Sequence, residues 1–271
     1  MRDTAEAVIP PQPRDYAGFN WTGFATLYHK EVRRFWKVGM QTVAAPVVTT
    51  LLYMMVFVVA VGATREPVEG VTFGTFVAPG LIMMAILNNA FANSSSSLIQ
   101  AKIMGTATDF LTPPLSPVEL LLGFGLGAAT RGIVVGAVTA ACVWPFARFG
   151  LEQAWAVLFY GVFASLLLGL VGVLAGLWSE KFDHLAAVQN FIVMPMTFLS
   201  GTFYAVEALP EPFETLSHFN PFFYLIDGFR YGFIGSADGS LVAGMLTTVA
   251  LTLVVGWVAY EAFRRGWRLK S

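Results

Sequence analysis

Charge is scarce in this sequence. Asp, Glu, Lys and Arg make up 12% of 271 residues, while 56% are hydrophobic; a soluble domain carries about 25% charged residues. So few charges cannot cover a surface that faces water, and the composition argues against a soluble enzyme. Cysteine is nearly absent. The single Cys142 allows no disulfide framework within the chain, and the apolar run around it reads as packing. Histidine occurs three times, as His29, His184 and His218, with no HExxH and no Cys/His cluster, so a zinc site has no support. GxSxG is missing too, and no other nucleophile–base constellation stands out. No lysine follows a glycine anywhere, which excludes the GxxxxGK[ST] loop that cradles nucleotide phosphates. No cofactor is therefore expected in this chain; if ATP drives it, a separate chain must bind the nucleotide. A net charge of −1 suggests neither a nucleic-acid partner nor a polybasic anchor. Residues 1–18 are polar, hold three prolines and lack an apolar segment, so they do not read as a signal peptide.

Long hydrophobic runs are what the sequence has instead. Stretches 38–64, 70–101, 153–179, 185–206 and 239–260 hold no charged residue, and a sixth, 120–147, is broken only by Arg131. Each exceeds the roughly 20 residues a helix needs to cross a bilayer. The expected fold is an all-α integral membrane protein with six transmembrane helices. Six spans put both termini on one side. Twelve basic residues then share that side: Arg2, Arg14, Lys30, Arg33, Arg34, Lys37, Lys102, Lys181, Arg264, Arg265, Arg268 and Lys270. Three (Arg65, Arg148 and Arg230) lie opposite. The excess of positive charge predicts cytoplasmic termini. Trp36, Trp144, Trp155, Trp178 and Trp257 fall near proposed span ends, where amphipathic rings prefer to sit.

Three segments do not read as spans. Residues 20–37, "NWTGFATLYHKEVRRFWK", repeat apolar positions such as Leu27, Val32 and Phe35 at helical spacing, with Lys30, Arg33, Arg34 and Lys37 on another stripe. They predict an amphipathic helix in the headgroup layer, capped by Asn20. The connector "QAKIMGTATDFLTPPLSPVEL", 100–120, is too long for a turn. Thr108, Asp109, Phe110 and Leu111 predict a short helix stopped by Pro113 and Pro114. Phe110 and Leu111 would offer an apolar knob beside an acid, suited to a groove on a soluble partner; the alternative is a loop packed on its own bundle. The third segment, "HFNPFFYLIDGFRYGF" at 218–233, holds seven aromatics together with Asp227 and Arg230. It is too apolar for a solvated loop and too charged for a lipid-facing span. Asn220 and Pro221 make a good helix start, after which Asp227 and Arg230, three apart, are close enough to pair.

The chain thus divides into a polar tail (1–19), an interfacial helix (20–37), a transmembrane domain (38–262) and a basic tail (263–271). The transmembrane domain holds a connector at 100–117 and a non-spanning segment at 205–236. Within the spans, Gly123 and Gly127, Gly132 and Gly136, and Gly172 and Gly176 recur four apart, a spacing that lets helix backbones approach. Arg131 costs about 2.5–3.5 kcal/mol at a span centre and should face the bundle or a wet cavity. A polar pathway is one use; a structural pair or a snorkelling side chain is the other. Asn88, Asn89 and Asn93 precede four serines, Ser94–Ser97, and either line a wet cavity or mark a helix end leaving the membrane.

Three of these features occur in the order seen in one family. The basic amphipathic helix, the connector "GTATDFLTPPLSPVELLLG" and the stretch "SGTFYAVEALPEPFETLSHFNPFFYLIDGFRYGF" resemble the type-2 ABC exporter permeases, most nearly the bacterial YadH/NodJ-like subgroup. The connector departs from its relatives in carrying Lys102 alone where a basic–acidic cluster is common. The resemblance implies a half-transporter in a bacterial inner membrane, working as a homodimer with two copies of an ATP-binding subunit that holds ATP and Mg. It further implies that the connector is the coupling helix and that the interfacial helix also meets the ATPase. The segment after span five would form two short helices re-entering the outer leaflet as a lid. The cargo implied is amphipathic: a lipid, lipid-linked glycan or hydrophobic drug. The alternatives are an ion- or proton-coupled transporter, which would want membrane carboxylates where 70–108 and 120–151 have none, and an intramembrane acyltransferase, which would want a His/Asp/Arg site.

Overall fold

The computed structural model describes residues 18–61, 67–68 and 70–268. The polar tail 1–19 lies almost wholly outside them, as do Arg65 and Lys270. Among the described residues there is no strand. The chain runs through α1 (Trp21–Lys37), a π turn (Met40–Ala44), α2 (Ala45–Met55), a second π turn (Val56–Val61) and α3 (Phe73–Ile103). The short α4 (Thr108–Leu111) is followed by α5 (Pro117–Ala147) and α6 (Ala154–Trp178). Then come α7 (Phe182–Val188), a π turn (Gln189–Val193), α8 (Met194–Phe198), α9 (Glu211–Phe219), α10 (Pro221–Ile234) and α11 (Leu241–Arg264).

Local chemistry sets these boundaries. Ser116 and Glu119 close a capping box at the start of α5: Glu119 N donates to Ser116 Oγ, and Ser116 N donates to Glu119 Oε2 at 2.7 Å. Asn20, Thr72, Asn220 and Ser240 cap α1, α3, α10 and α11 with side-chain oxygens. Two of the π turns have a visible cause. A proline ring has no N–H and clashes with the carbonyl four residues back. Pro46 and Pro195 each stand two residues after the end of a π turn, and the carbonyls they disturb, Thr42 and Phe191, lie within those turns.

α3 is the axis of the bundle, buried along most of its length between α5 and α6. The paired glycines are why its neighbours come so close. A Cβ on Gly172 would stand 2.4 Å from Ser94 Oγ and 2.5 Å from the Phe91 carbonyl oxygen. Ser94 Oγ donates across this contact to Gly169 O at 2.6 Å.

Five helices among the described residues are long and apolar enough to cross a membrane: Met40–Val58, Phe73–Ile103, Pro117–Ala147, Ala154–Trp178 and Leu241–Arg264. The expected fifth run, 185–206, differs. Its helix covers only 182–198, across the π turn, before the chain reverses at Gly201 with φ of 72°. The bundle has two distinct ends. At one, α1 and α4 pack over the start of α5, Lys102 Nζ donates to Leu177 O at 2.7 Å, and Phe110, Phe124 and Phe263 form a ring cluster. At the other, α10 sits on the start of α6, where Gln153 N donates to Gly232 O at 2.9 Å and Thr75 Oγ1 donates to Ala147 O at 2.8 Å.

Candidate functional site

The buried face of α1 is Leu27, Glu31 and Phe35, one residue per turn. Glu31 is fully buried. Its Oε1 accepts from Ser97 Oγ at 2.6 Å and its Oε2 from Arg34 Nη2 at 3.3 Å. Arg34 Nη2 also donates to Asn93 O at 2.6 Å and Asn93 Oδ1 at 3.1 Å, and Nη1 donates to Ser96 Oγ at 3.1 Å. The expected basic stripe is therefore split. Lys30, Arg33 and Lys37 are exposed, whereas Arg34 turns inward to a polar hub on α3. Its reason is Glu31, which the basic pattern had hidden. Glu31 sits four residues from both Leu27 and Phe35, so helical spacing alone puts it on the buried stripe.

The connector corrects a second expectation. Phe110 is not a free apolar knob. It is 3% exposed, stacked edge-on against Phe124 at 5.4 Å, with Lys30 Nζ 5.5 Å from its ring centre. It anchors α4 to α1 and α5, because an exposed phenyl ring gains more from burial than a four-residue helix gains by itself. Leu111 is half-buried, while Thr108 and Asp109 are exposed. The apolar side chains turned outward here are Ile103 and Met104, 54% and 65% exposed, at the end of α3.

At the opposite end, Asn220 Oδ1 accepts from Phe222 N at 3.1 Å, and Pro221 opens α10. Asn220 Nδ2 donates to Met196 O and Ser200 Oγ, tying α10 to α8. Asp227 and Arg230 are both buried, but the expected pair is not the main arrangement. Asp227 accepts from Asp238 N at 2.9 Å and Gly239 N at 3.0 Å. Arg230 donates to Gly201 O, has Asp238 Oδ2 4.0 Å from Nη1, and lies 4.0 Å from the Phe76 ring centre. The loop after α10 folds back, so its free N–H groups and its acid reach both residues before either needs the other. Asp238, which sequence reasoning missed, also accepts from Val206 N at 3.1 Å. One acid thus joins α10, the loop after it and the turn before α9.

Two cavities lie between these ends. One, about 1210 Å³, runs along α1 to Gln100 and Arg131. The other, about 680 Å³, lies among α2, α3, α5 and the π turn at Gln189, and includes Asn88, Asn89 and Arg131. Arg34, Val38 and Arg131 line both. Arg131 Nη2 donates to Asn89 Oδ1 at 2.9 Å, and Gln189 Nε2 donates to Asn88 Oδ1. The geometry brings Asn88, Asn89 and Arg131 together with Arg34, which the sequence had placed elsewhere.

Residues 22–234 match the ABC-2 type transporter family. The chain is 33% identical over 251 residues to the inner membrane transport permease YadH of Escherichia coli K12, covering 93% of this chain and 98% of that one. It is 22% identical over 255 residues to nodulation protein J of Rhizobium leguminosarum bv. viciae, covering 92% and 95%. With nodulation protein J of Azorhizobium caulinodans the identity is 21% over 211 residues, covering 76% and 82%.

Proposed function

The chain belongs to the ABC-2 type transporter family, and on that premise we propose that it is the permease subunit of an ATP-driven exporter of amphipathic cargo in a bacterial inner membrane. An ABC ATPase in trans supplies the hydrolysis, since this sequence has no phosphate loop. Two permease chains and two ATPase chains make the complex. The segment 182–198 serves as a further span: its 17 helical residues rise about 25 Å, at the lower limit for crossing. Both termini are cytoplasmic, and α9 with α10 re-enters the outer leaflet, held on one side by protein as non-spanning backbone at that depth requires.

The observation that carries this reading is the end built from α1 and α4. Ile103 and Met104 stand exposed at the end of α3, and Asp109 stands exposed on the connector that follows, which Phe110 pins to the bundle. A partner seated there pushes on α1, α3 and α5 together. The ion-coupled alternative is disfavoured because the buried carboxylates among the described residues, those of Glu31, Glu119, Asp227 and Asp238, are each held in hydrogen bonds to the chain. The test is co-purification with an ABC ATPase expressed beside it. Ile103→Asp with Met104→Asp should release the ATPase and abolish export while leaving the thermal midpoint of the permease unchanged, as exposed substitutions do. Phe110→Ala should instead lower stability by about 3 kcal/mol. Normal export and a retained ATPase in the double Asp variant would move the docking site elsewhere.

Orientation is checked separately. In a Cys142→Ala background, cysteines replacing the exposed Glu152 and Glu211 should react with a membrane-impermeant thiol reagent in intact cells, and one replacing Asp109 should not. Labelling at 109 from outside would reverse the topology.

A further inference from the structure

Positive charge lines both cavities and negative charge lines neither. The cavity along α1 is bordered by Lys30, Arg33, Arg34, Lys37 and Arg131, with His29, and by no acidic side chain. The inner cavity is bordered by Arg34 and Arg131, again with no acidic side chain. Glu31 faces Arg34 from α1, but it is itself buried and lines neither space. It offsets one charge of the set. Arg131 has no ion-pair partner among the described residues; its bond goes to a neutral amide oxygen.

The two guanidinium groups are also arranged in register. Arg34 holds Asn93 and Arg131 holds Asn89, residues one turn apart on α3, about 6 Å along its axis. In each group the Nε hydrogen is buried and has no acceptor among the described residues. Buried polar groups are almost always satisfied, so these two unpaired Nε groups mark both guanidinium groups as short of acceptors, and both side chains line the same pair of cavities. Arginine forks match tetrahedral oxyanions in geometry, and in a low-dielectric space two adjacent cations favour an anion between them. Apolar groups lie among these charged and polar ones: Val38, Leu81, Met84 and Tyr53 in the inner cavity, Trp21 and Phe35 in the one along α1.

We propose that Arg34 and Arg131 form a seat for the phosphate headgroup of an anionic amphiphile, which enters along α1 and passes its head into the inner cavity. This rests on the permease reading above and gives its cargo a chemical class. Asn88, Asn89 and Gln189 lie beyond the seat and offer the headgroup its next hydrogen bonds.

The test uses the purified full-length chain in a neutral maltoside detergent, so that binding is read without the ATPase. The probes are dodecyl phosphate, the zwitterionic dodecyl phosphocholine and inorganic phosphate. Dodecyl phosphate should bind at least about tenfold more tightly than either of the others, as two charge-assisted contacts together with an apolar tail require. Salt should weaken it. Arg131→Gln should erase the preference, while Arg131→Lys, which keeps the charge without the fork, should retain part of it. Equal affinity for dodecyl phosphate and dodecyl phosphocholine would overturn the proposal, as would a preference that survives Arg131→Gln. Equal affinity for inorganic phosphate would overturn the amphiphile and leave an aqueous anion site. None of these results touches ATPase docking, so a failure here is distinguishable from a failure of the permease reading.

Discussion

Arg230→Ala should lower the stability of the purified permease by about 3–5 kcal/mol, the cost of leaving a buried charge without its partner. The side chain is 1% exposed, between the Gly201 carbonyl, the Asp238 carboxylate and the Phe76 ring. Truncation removes all three contacts and opens a void at the junction of α10 with α3. Asp227→Asn should cost less, about 1–3 kcal/mol, because an amide oxygen still accepts one of the two N–H groups from the following loop while the other is left facing its NH₂ group. The exchange Asp227→Arg with Arg230→Asp should rescue nothing. Asp227 serves the backbone of Asp238 and Gly239, which an arginine cannot accept from, and Arg230 serves Gly201 O, which an aspartate cannot donate to. Thermal unfolding of the three variants decides the matter. Recovery in the exchanged protein would mean that the two side chains form one self-contained pair. Near-wild-type stability in both single variants would mean that these charges are solvated, and the lid assignment of α9 and α10 would fall with them.

The sequence displayed the helices better than it displayed their partners. Runs of apolar residues longer than 20 are unambiguous, and Asn20 and Asn220 with Pro221 mark helix starts that the structure has at the same residues. Glycines four apart reported a backbone contact, because at Gly172 nothing larger fits against Phe91. The segment 185–206 misled, since an apolar run does not disclose that Pro195 widens the ladder behind it or that Gly201 turns the chain. Side-chain pairing was the least legible level. Asp227 and Arg230 are neighbours on a helix, and local spacing offers them to each other. The acid that reaches Arg230 arrives from a loop eight residues on, and no periodicity encodes a loop that folds back. Phe110 was misjudged for a related reason. Its ring could face a partner or its own bundle, and only the rings of Phe124 and Phe263 behind it decide the direction. Arg131 and the asparagines of α3 were recognisable as polar groups out of place. That Arg34 joins them depended on Glu31, one acid among bases.

Glu31→Ala carries the other large expected effect. The carboxylate is fully buried and accepts from Ser97 Oγ and Arg34 Nη2, and its Cβ lies 2.6 Å from where a Cβ on Gly127 would stand. α1 is thus held against α5 by a glycine contact and against α3 by one buried charge. Removing the carboxylate leaves Ser97 without its acceptor and Arg34 without its counter-charge, a loss of about 3–5 kcal/mol. Arg34 is 25% exposed and keeps Asn93 and Ser96, so solvent and neutral acceptors should hold the loss near the lower figure. Glu31→Gln keeps the shape and an acceptor for Ser97, and should cost about half as much. Arg34→Met in the wild-type background should also destabilise, because it strands Glu31. The double variant Glu31→Met with Arg34→Met should lose less than the sum of the two single changes, since apolar residues of similar volume can replace a buried ion pair at little net cost. A double-mutant cycle on thermal or denaturant unfolding measures the difference. Strict additivity would mean that Glu31 and Arg34 are not coupled. In that case α1 would be a helix resting on the bundle, and pressure applied to it from the connector would not reach α3 through this pair.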